Sequence, residues 1–254
     1  MRPGLPSGTI PKAEMRIEIV GVAAFPEIRQ GDDLAALIRR AVDGPLDETI
    51  VVVAQKIVSK SEGAIVDLNS IEPSPFAAEW AARWNKDARL MELILRESRR
   101  IVRMERGLII AETRHGLVTA NAGVDQSNVP GDNCATILPR DPDESARRLR
   151  EALGCGGVII SDTFGRPWRE GLVNVAIGVS GLQPLEDYRG RSDRSGRALQ
   201  STVIATADEL AAAAGLVMRK EEGVPVALVK GFEWKRSDGS AAELIRAPEK
   251  DLFR

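Results

Sequence analysis

One histidine, one tyrosine and two cysteines are all that 254 residues supply of these types, and aromatics make up only 4%. A single histidine with two distant thiols, Cys134 and Cys155, cannot complete a four-ligand zinc site, and two thiols do not build a disulfide framework. A serine-hydrolase triad would have to use His115, which falls in a turn between short strands. No GxSxG elbow accompanies it, and GVSGL at 178–182 has the wrong order. No GxxxxGKS/T phosphate loop occurs, and the glycines of GCGG (154–157) precede their strand instead of following one, so they are no dinucleotide fingerprint. Charge of one sign is lacking as well. With 35 basic and 37 acidic residues the net is -2, which predicts neither nucleic-acid nor anionic-membrane binding. No apolar run approaches the roughly 20 residues that span a bilayer, and the N-terminus lacks a signal-peptide core, so a cytoplasmic protein is expected.

What is present reads as a globular chain, 43% hydrophobic. Residues 1–14, rich in Pro, Gly and Ser, read as a flexible tail, and 15–254 as one large domain or two interlocked smaller ones. Strands are predicted at 16–22, at 49–59 (TIVVVAQKIVS, apolar enough to be covered on both faces), at 107–113, 116–123 and 135–141, and in the apolar runs of 154–171, 173–182 and 225–232. Helices are predicted at 34–42 behind Asp32 or Asp33, at 142–153 behind Asp141, at 206–218 and at 240–248. From 76 to 104 an apolar stripe including Trp80, Trp84, Leu90, Ile94 and Ile101 predicts one long helix or two abutting ones, in search of a partner domain or subunit. The irregular alternation points to an α+β class, a mixed α/β fold with short strands, rather than a regular doubly wound sheet.

Three apolar runs finish in chemistry-bearing residues: Lys56, Ser59 and Lys60; Asp125, Ser127 and Asn128; Asp162, Thr163, Arg166 and Arg169. The second belongs to NAGVDQSNVPGD (121–132), which has no hydrophobic period. Strand ends are aimed by the sheet beneath them. Asp125, Asp162 and Thr163 offer hard oxygen ligands suited to Mg²⁺ or Mn²⁺, and Lys60 with the arginines offers positive charge to phosphate oxygens. Each acid alone also fits a solvated turn or a helix cap. Together they suggest a nucleoside triphosphate held through a divalent metal.

The strings VVVAQKIVSKSEG (51–63), NAGVDQSNVPGD (121–132), ISDTFGRPWREGLVNVAIGVSGL (160–182) and DYRG (187–190) resemble the coenzyme F420-0:L-glutamate ligase family, the gamma-glutamyl ligases of F420. FPEIRQGDD (25–33), ADELAAAAGLV (207–217), PVALVKGF (225–232) and DLF (251–253) extend the similarity over nearly the whole chain. The resemblance implies a GTP-dependent enzyme that joins L-glutamate to F420-0 through an acyl phosphate and then extends it through gamma linkages. It implies Mg²⁺ or Mn²⁺, with K⁺ as a further candidate, and a homodimer of unusual mixed fold in which the 76–104 segment contacts the second subunit. By position, Phe25, Pro26, Glu27, Ile28, Gln55, Lys60 and Asn128 match the family's nucleotide contacts. Asp125, Asp162 and Thr163 match its metal positions, and Asp125, Asp162 and Lys60 are thereby assigned to catalysis. Some relatives carry serine at the Gln55 position. Arg166, Arg169 and the arginines of 189–197 are candidates for the anionic substrate. Two-domain relatives continue into a flavin-dependent reductase, which a chain ending at Arg254 is expected to lack. Competing readings from the same residues are a metal-dependent phosphotransferase acting on another small molecule, a non-catalytic guanine-nucleotide-binding protein and a purely structural dimer.

Overall fold

A computed structural model of the chain describes residues 15–23, 25–129, 131, 133–219 and 221–252. The expected tail at 1–14 and Phe253 of the DLF string lie outside them. The central sheet is built around β2 (Thr49–Ala54), where every residue from Thr49 to Val53 is buried. Side chains alternate across a strand. Val51 and Val53 therefore enter one core while Ile50 and Val52 enter another. β8 (Gly157–Arg166) lies parallel to β2 from the pair Ile50↔Gly157 to Ala54↔Ser161. On the other side β10 (Val226–Lys230) and then β1 (Glu18–Val22) add antiparallel, and β9 (Arg169–Ser180) returns antiparallel to β8, giving the order β1-β10-β2-β8-β9. One parallel pair among antiparallel neighbours is the mixed architecture the pattern predicts.

Helices cover both faces. On one lie α1 (Leu34–Ala41), α2 (Gln55–Ser61) and α5 (Pro142–Leu153), contributing Leu34, Ile38, Val58, Leu149 and Leu153 to the core. Asp33 caps α1 through the Ala36 amide at 3.0 Å, and Asp141 caps α5 through Glu144 at 3.0 Å, two of the predicted caps. On the other face α6 (Thr206–Gly215) buries Ala207, Ala211 and Ala214, whose small side chains let it lie close to the sheet.

Between α2 and α5 the chain builds a second layer. α3 (Pro75–Trp84) and α4 (Ala88–Glu97) pack on an antiparallel sheet of β4 (Ser98–Glu105), β5 (Leu108–Thr113) and β6 (Val118–Ala120), and β3 (Ile65–Asp67) pairs with β7 (Cys134–Thr136). Met91, Leu93 and Ile94 meet Ile109, Ala111, Ala122 and Val124 in a third core.

Several boundaries differ from the sequence reading. The strand expected over 49–59 ends at Ala54, and 55–61 is helical. The helical stripe of 76–104 is two helices only as far as Glu97: Asn85 turns left-handed (φ 51°) to end α3, and 98–105 is strand. Arg106 (φ 53°) and Gly107 (φ 76°) form the two-residue hairpin that pairs β4 with β5. Ala77, Ala81, Met91 and Ile94 of this segment are covered by the chain's own third core, while Phe76 (55%) and Trp84 (37%) on α3 stay exposed. The strand of 135–141 shortens to β7, and the closing helix of 240–248 is a pair of 3-10 turns, Ala241–Leu244 and Pro248–Lys250.

β9 is the last strand in the sheet order, and two carboxylates cover its outward amides. Asp143 on α5 accepts from Val179 at 2.7 Å, and Asp208 on α6 accepts from Ala176 at 2.9 Å. Burial raises the Asp208 carboxyl above its ordinary value, against the Ala176 amide that favours its ionised form. Between these bonds Gly178 lets the Pro142 carbonyl of α5 approach so closely that a methyl group there would overlap it. Gly178→Ala should therefore lower the unfolding free energy by about 1–3 kcal/mol, read from urea midpoints at constant m-value. An unchanged midpoint would contradict the close packing of α5 on β9.

Candidate functional site

The site is positioned by the end of the β2/β8 pairing. Ala54 lies opposite Ser161, so α2 begins at Gln55 beside the point where β8 continues into Asp162. Ile160 and Phe164 both face the core under α1, α2 and α5, as does Val175 opposite Asp162, which puts Asp162 on the α2 face of the sheet. Thr163 faces the other way: its hydroxyl donates to Asn174 Oδ1 at 3.0 Å, while its amide donates to Asp162 Oδ1 at 2.7 Å. Neither residue ends a strand, contrary to the sequence expectation. β8 runs on to Arg166 as one side of a hairpin arm.

Asp125 comes from the second layer. Asn121, Ala122 and Gly123 all have positive φ (53°, 52° and 73°), a left-handed turn closed by the Val124 amide on Asn121 O at 2.9 Å. A side chain at Gly123 would sit 2.7 Å from Leu138, so glycine is required there by contact as well as by conformation. Asp125 is then held to Thr136 by two backbone bonds of 3.0 and 2.8 Å. Its Oδ1 accepts from the Ser127 amide at 2.7 Å, and its Oδ2 accepts from Lys56 Nζ at 2.7 Å and Ser127 Oγ at 2.9 Å. Burial alone would raise the carboxyl. Lys56 and the Ser127 amide together outweigh it, and the net shift is downward.

Lys60, one turn beyond Lys56, is 4% exposed and forms an ion pair with Glu27. Glu27 thus joins the predicted nucleotide loop to α2. Within that loop Ile28 is buried in the core and Phe25 packs against the same cluster, so Ile28 serves as the loop's anchor. Gln55 is also buried, and its Oε1 accepts from Ser59 Oγ at 2.9 Å. Asn128 is exposed in a left-handed conformation (φ 53°) just past Ser127.

Arg166 donates to the Glu170 and Gly171 carbonyls and so braces the arm's tip, whereas Arg169 is exposed. Of the 189–197 arginines, Arg189 pairs with Asp187 and Arg191 with Glu186. His115 lies 3.1 Å from the Arg140 carbonyl. The Cys155 thiol is pushed up to about 11 by burial, which suits an inert core residue. No group of three or more His, Cys, Asp or Glu side chains that could hold a metal occurs among the described residues. The sequence reading placed Lys56 at a strand end without assigning it to the site. The signal was there: with 55–61 taken as helix, Gln55/Ser59 and Lys56/Lys60 are i,i+4 pairs.

A family model described as F420-0:Gamma-glutamyl ligase matches residues 23–231. The coenzyme F420:L-glutamate ligase of Methanothermobacter thermautotrophicus is 51% identical over 252 residues, covering 94% of this chain and 100% of that protein. Proteins of the same description from Methanopyrus kandleri (48% identical, 94% of this chain and 98% of that protein) and Halorubrum lacusprofundi (43%, 94% and 96%) are also similar.

The lowered Asp125 carboxyl has a consequence for stability. A depressed folded value adds stability that is complete above the ordinary carboxylate pKa and lost as pH falls through the folded one. The stability difference between wild type and Asp125→Asn should therefore be constant near neutrality and narrow on acidification, in denaturant titrations at stepped pH. A difference that does not change with pH would contradict the Lys56–Asp125 pairing.

Proposed function

The chain belongs to the F420-0:gamma-glutamyl ligase family, and from that premise we propose the reaction its residues carry out. It is an acid–amino-acid ligase that joins L-glutamate to coenzyme F420-0 with GTP as the energy source. The observation that supports this placement of the chemistry is the convergence on α2. Lys56 meets Asp125, Lys60 meets the 25–28 loop, and Asp162 lies at the helix start.

The chemical problem is that a carboxylate is a poor electrophile. A terminal carboxylate oxygen of F420-0 attacks the γ-phosphorus of GTP, the bond to the bridging oxygen breaks, and GDP leaves. The resulting acyl phosphate is attacked by the glutamate amine, which loses a proton as the amide forms and inorganic phosphate departs. Lys60 supplies positive charge to the phosphates after exchanging Glu27 for a phosphate oxygen, and the 25–28 loop moves with that exchange. Gln55 and Asn128 line the nucleotide, and Arg166 and Arg169 lie along the arm toward the anionic substrate.

Asp125 and Asp162 are the residues proposed to hold Mg²⁺ or Mn²⁺; Thr163, the third residue matched to the family's metal positions, turns its hydroxyl to Asn174 on the other face of the sheet. Their fit lies in donor type: Mg²⁺ is commonly held by one or two carboxylates plus substrate phosphates rather than by an all-protein cage. Two acids carried by separate elements, Asp125 beside Lys56 and Asp162 at the α2 end of the β2/β8 pairing, match that pattern. When bound, the ion neutralises charge on the phosphate oxygens. Residues 15–254 form the proposed ligase domain, the two sheets being its interlocked halves. The homodimer belongs to the same proposal. Its supporting features are the exposed apolar side chains Phe76 (55%) and Trp84 (37%) on α3, together with Trp168 (79%) and Leu172 (67%) on the β8–β9 arm. No helix among the described residues is long and apolar enough to cross a membrane.

Mass spectrometry of mixtures containing F420-0, L-glutamate, Mn²⁺ and either GTP or ATP tests the reading. The expected product is glutamylated F420 with GTP. Nucleotide cleavage that leaves glutamate unconsumed would favour a phosphotransferase instead. Lys60→Ala should lower kcat/KM about 10²–10³-fold, as loss of a preorganised electrostatic donor does. Unchanged turnover would remove Lys60 from the phosphate site.

A further inference from the structure

We propose that Lys56 is a tethered cation that occupies the Asp125 position until a nucleotide arrives, making divalent-metal binding conditional on nucleotide. The inference rests on the reading above for the identity of the nucleotide, and it goes further by assigning an order of binding and the residue that imposes it. Three oxygens of three kinds converge on the Lys56 ammonium: carboxylate Asp125 Oδ2 at 2.7 Å, hydroxyl Ser127 Oγ at 2.6 Å and carbonyl Ser127 O at 2.8 Å. Carboxylate, hydroxyl and carbonyl oxygens are the donors hard cations use. Here an ammonium on a flexible stem fills that cradle. The Lys56 side chain is 20% exposed and that of Asp125 43%, so the pair is partly withdrawn from solvent.

Two consequences follow from charge alone. A divalent ion arriving by itself meets an acid that is already neutralised, with a fixed positive charge beside it. A triphosphate changes both terms, because its oxygens accept the displaced ammonium and add negative charge for the ion. Lys56 is one helical turn from Lys60, so on leaving Asp125 it stands next to the other lysine proposed to meet phosphate. Asp125 keeps its orientation through the exchange, since the Ser127 amide holds Oδ1 independently of Lys56. Lys56 thus acts through Asp125 as a positioning residue.

The test is Mn²⁺ binding to the full chain, followed by the electron-paramagnetic-resonance signal of free Mn²⁺, with and without a non-hydrolysable GTP analogue. Wild type is expected to bind Mn²⁺ weakly alone and at least about tenfold more tightly with the analogue, within the usual range of coupling between sites. Lys56→Met should bind Mn²⁺ alone about tenfold more tightly than wild type, with little further gain from the analogue. Lys56→Gln keeps hydrogen bonding without the charge and should show the same gain, and combining either change with Asp125→Asn should abolish it. The proposal is overturned if both Lys56 variants bind Mn²⁺ alone no better than wild type, or if wild type binds Mn²⁺ equally with and without the analogue. Absence of glutamyl transfer by wild type would instead strike the ligase reading, which this titration does not measure.

Discussion

The parallel pairing of β2 with β8 is the constraint on which the site depends. Both strands are apolar on both faces, and each face enters a different core. A slip of one residue would send Val51 and Val53 into the α6 side and Ile50 and Val52 into the other, so the register cannot drift without dismantling both cores. That fixed register brings Gln55 and Asp162 to the same end of the sheet. Everything from α2 to α5, including the whole second layer, is inserted in the crossover between these strands. Among the described residues the insertion returns to the site through the 125–128 loop, whose Asp125 follows a left-handed turn and is pinned to β7.

How much of this the sequence reveals depends on how local the cause is. α5 is legible from end to end because its signals are adjacent in the chain: Asp141 as cap, Pro142 at the first turn, and Gly154 in a left-handed stop. α2 is not, since Ile57 and Val58 continue the β-branched run of VVVA and no side-chain cap marks the break at Gln55. β4 is hidden for a related reason. Ile101 and Met104, three apart, fit a helical stripe and break strand alternation, which the register shift between Ile101 and Arg103 accommodates, and Arg106–Gly107 is a weaker hairpin signal than Asn-Gly. In the site, residue types show that Asp125, Asp162 and Lys60 suit phosphate and metal chemistry. Pairings do not show, because Lys56 and Asp125 are 69 residues apart and nothing local couples them. Roles for Gln55 and Asn128 came from likeness to a family, since neither is distinguishable by spacing from an ordinary helix-start glutamine or turn asparagine.

The ionic pairs fall into two kinds. On α5, Glu144 meets Arg147 and Arg148 and its carboxyl is drawn down to about 2, yet these groups lie on the solvent face, where such pairs contribute little to stability. Lys60 is buried, and its partner Glu27 sits on a loop anchored by Ile28. Lys56 and Asp125 bridge two layers of the molecule. In the proposed mechanism both lysines trade a carboxylate for a phosphate oxygen, so neither ammonium is left without an anionic partner.

The two carboxylates on β9 bear on how the molecule meets its neighbours. An open sheet margin is a template on which a foreign strand can crystallise. Along the half of β9 that backs the core, Asp143 and Asp208 already answer the outward amides, so a newcomer would have to evict two acids held by separate helices. The half that forms the projecting arm has no such guard among these bonds. Strand addition to the core-backing half of β9 is thereby opposed where it would damage the fold.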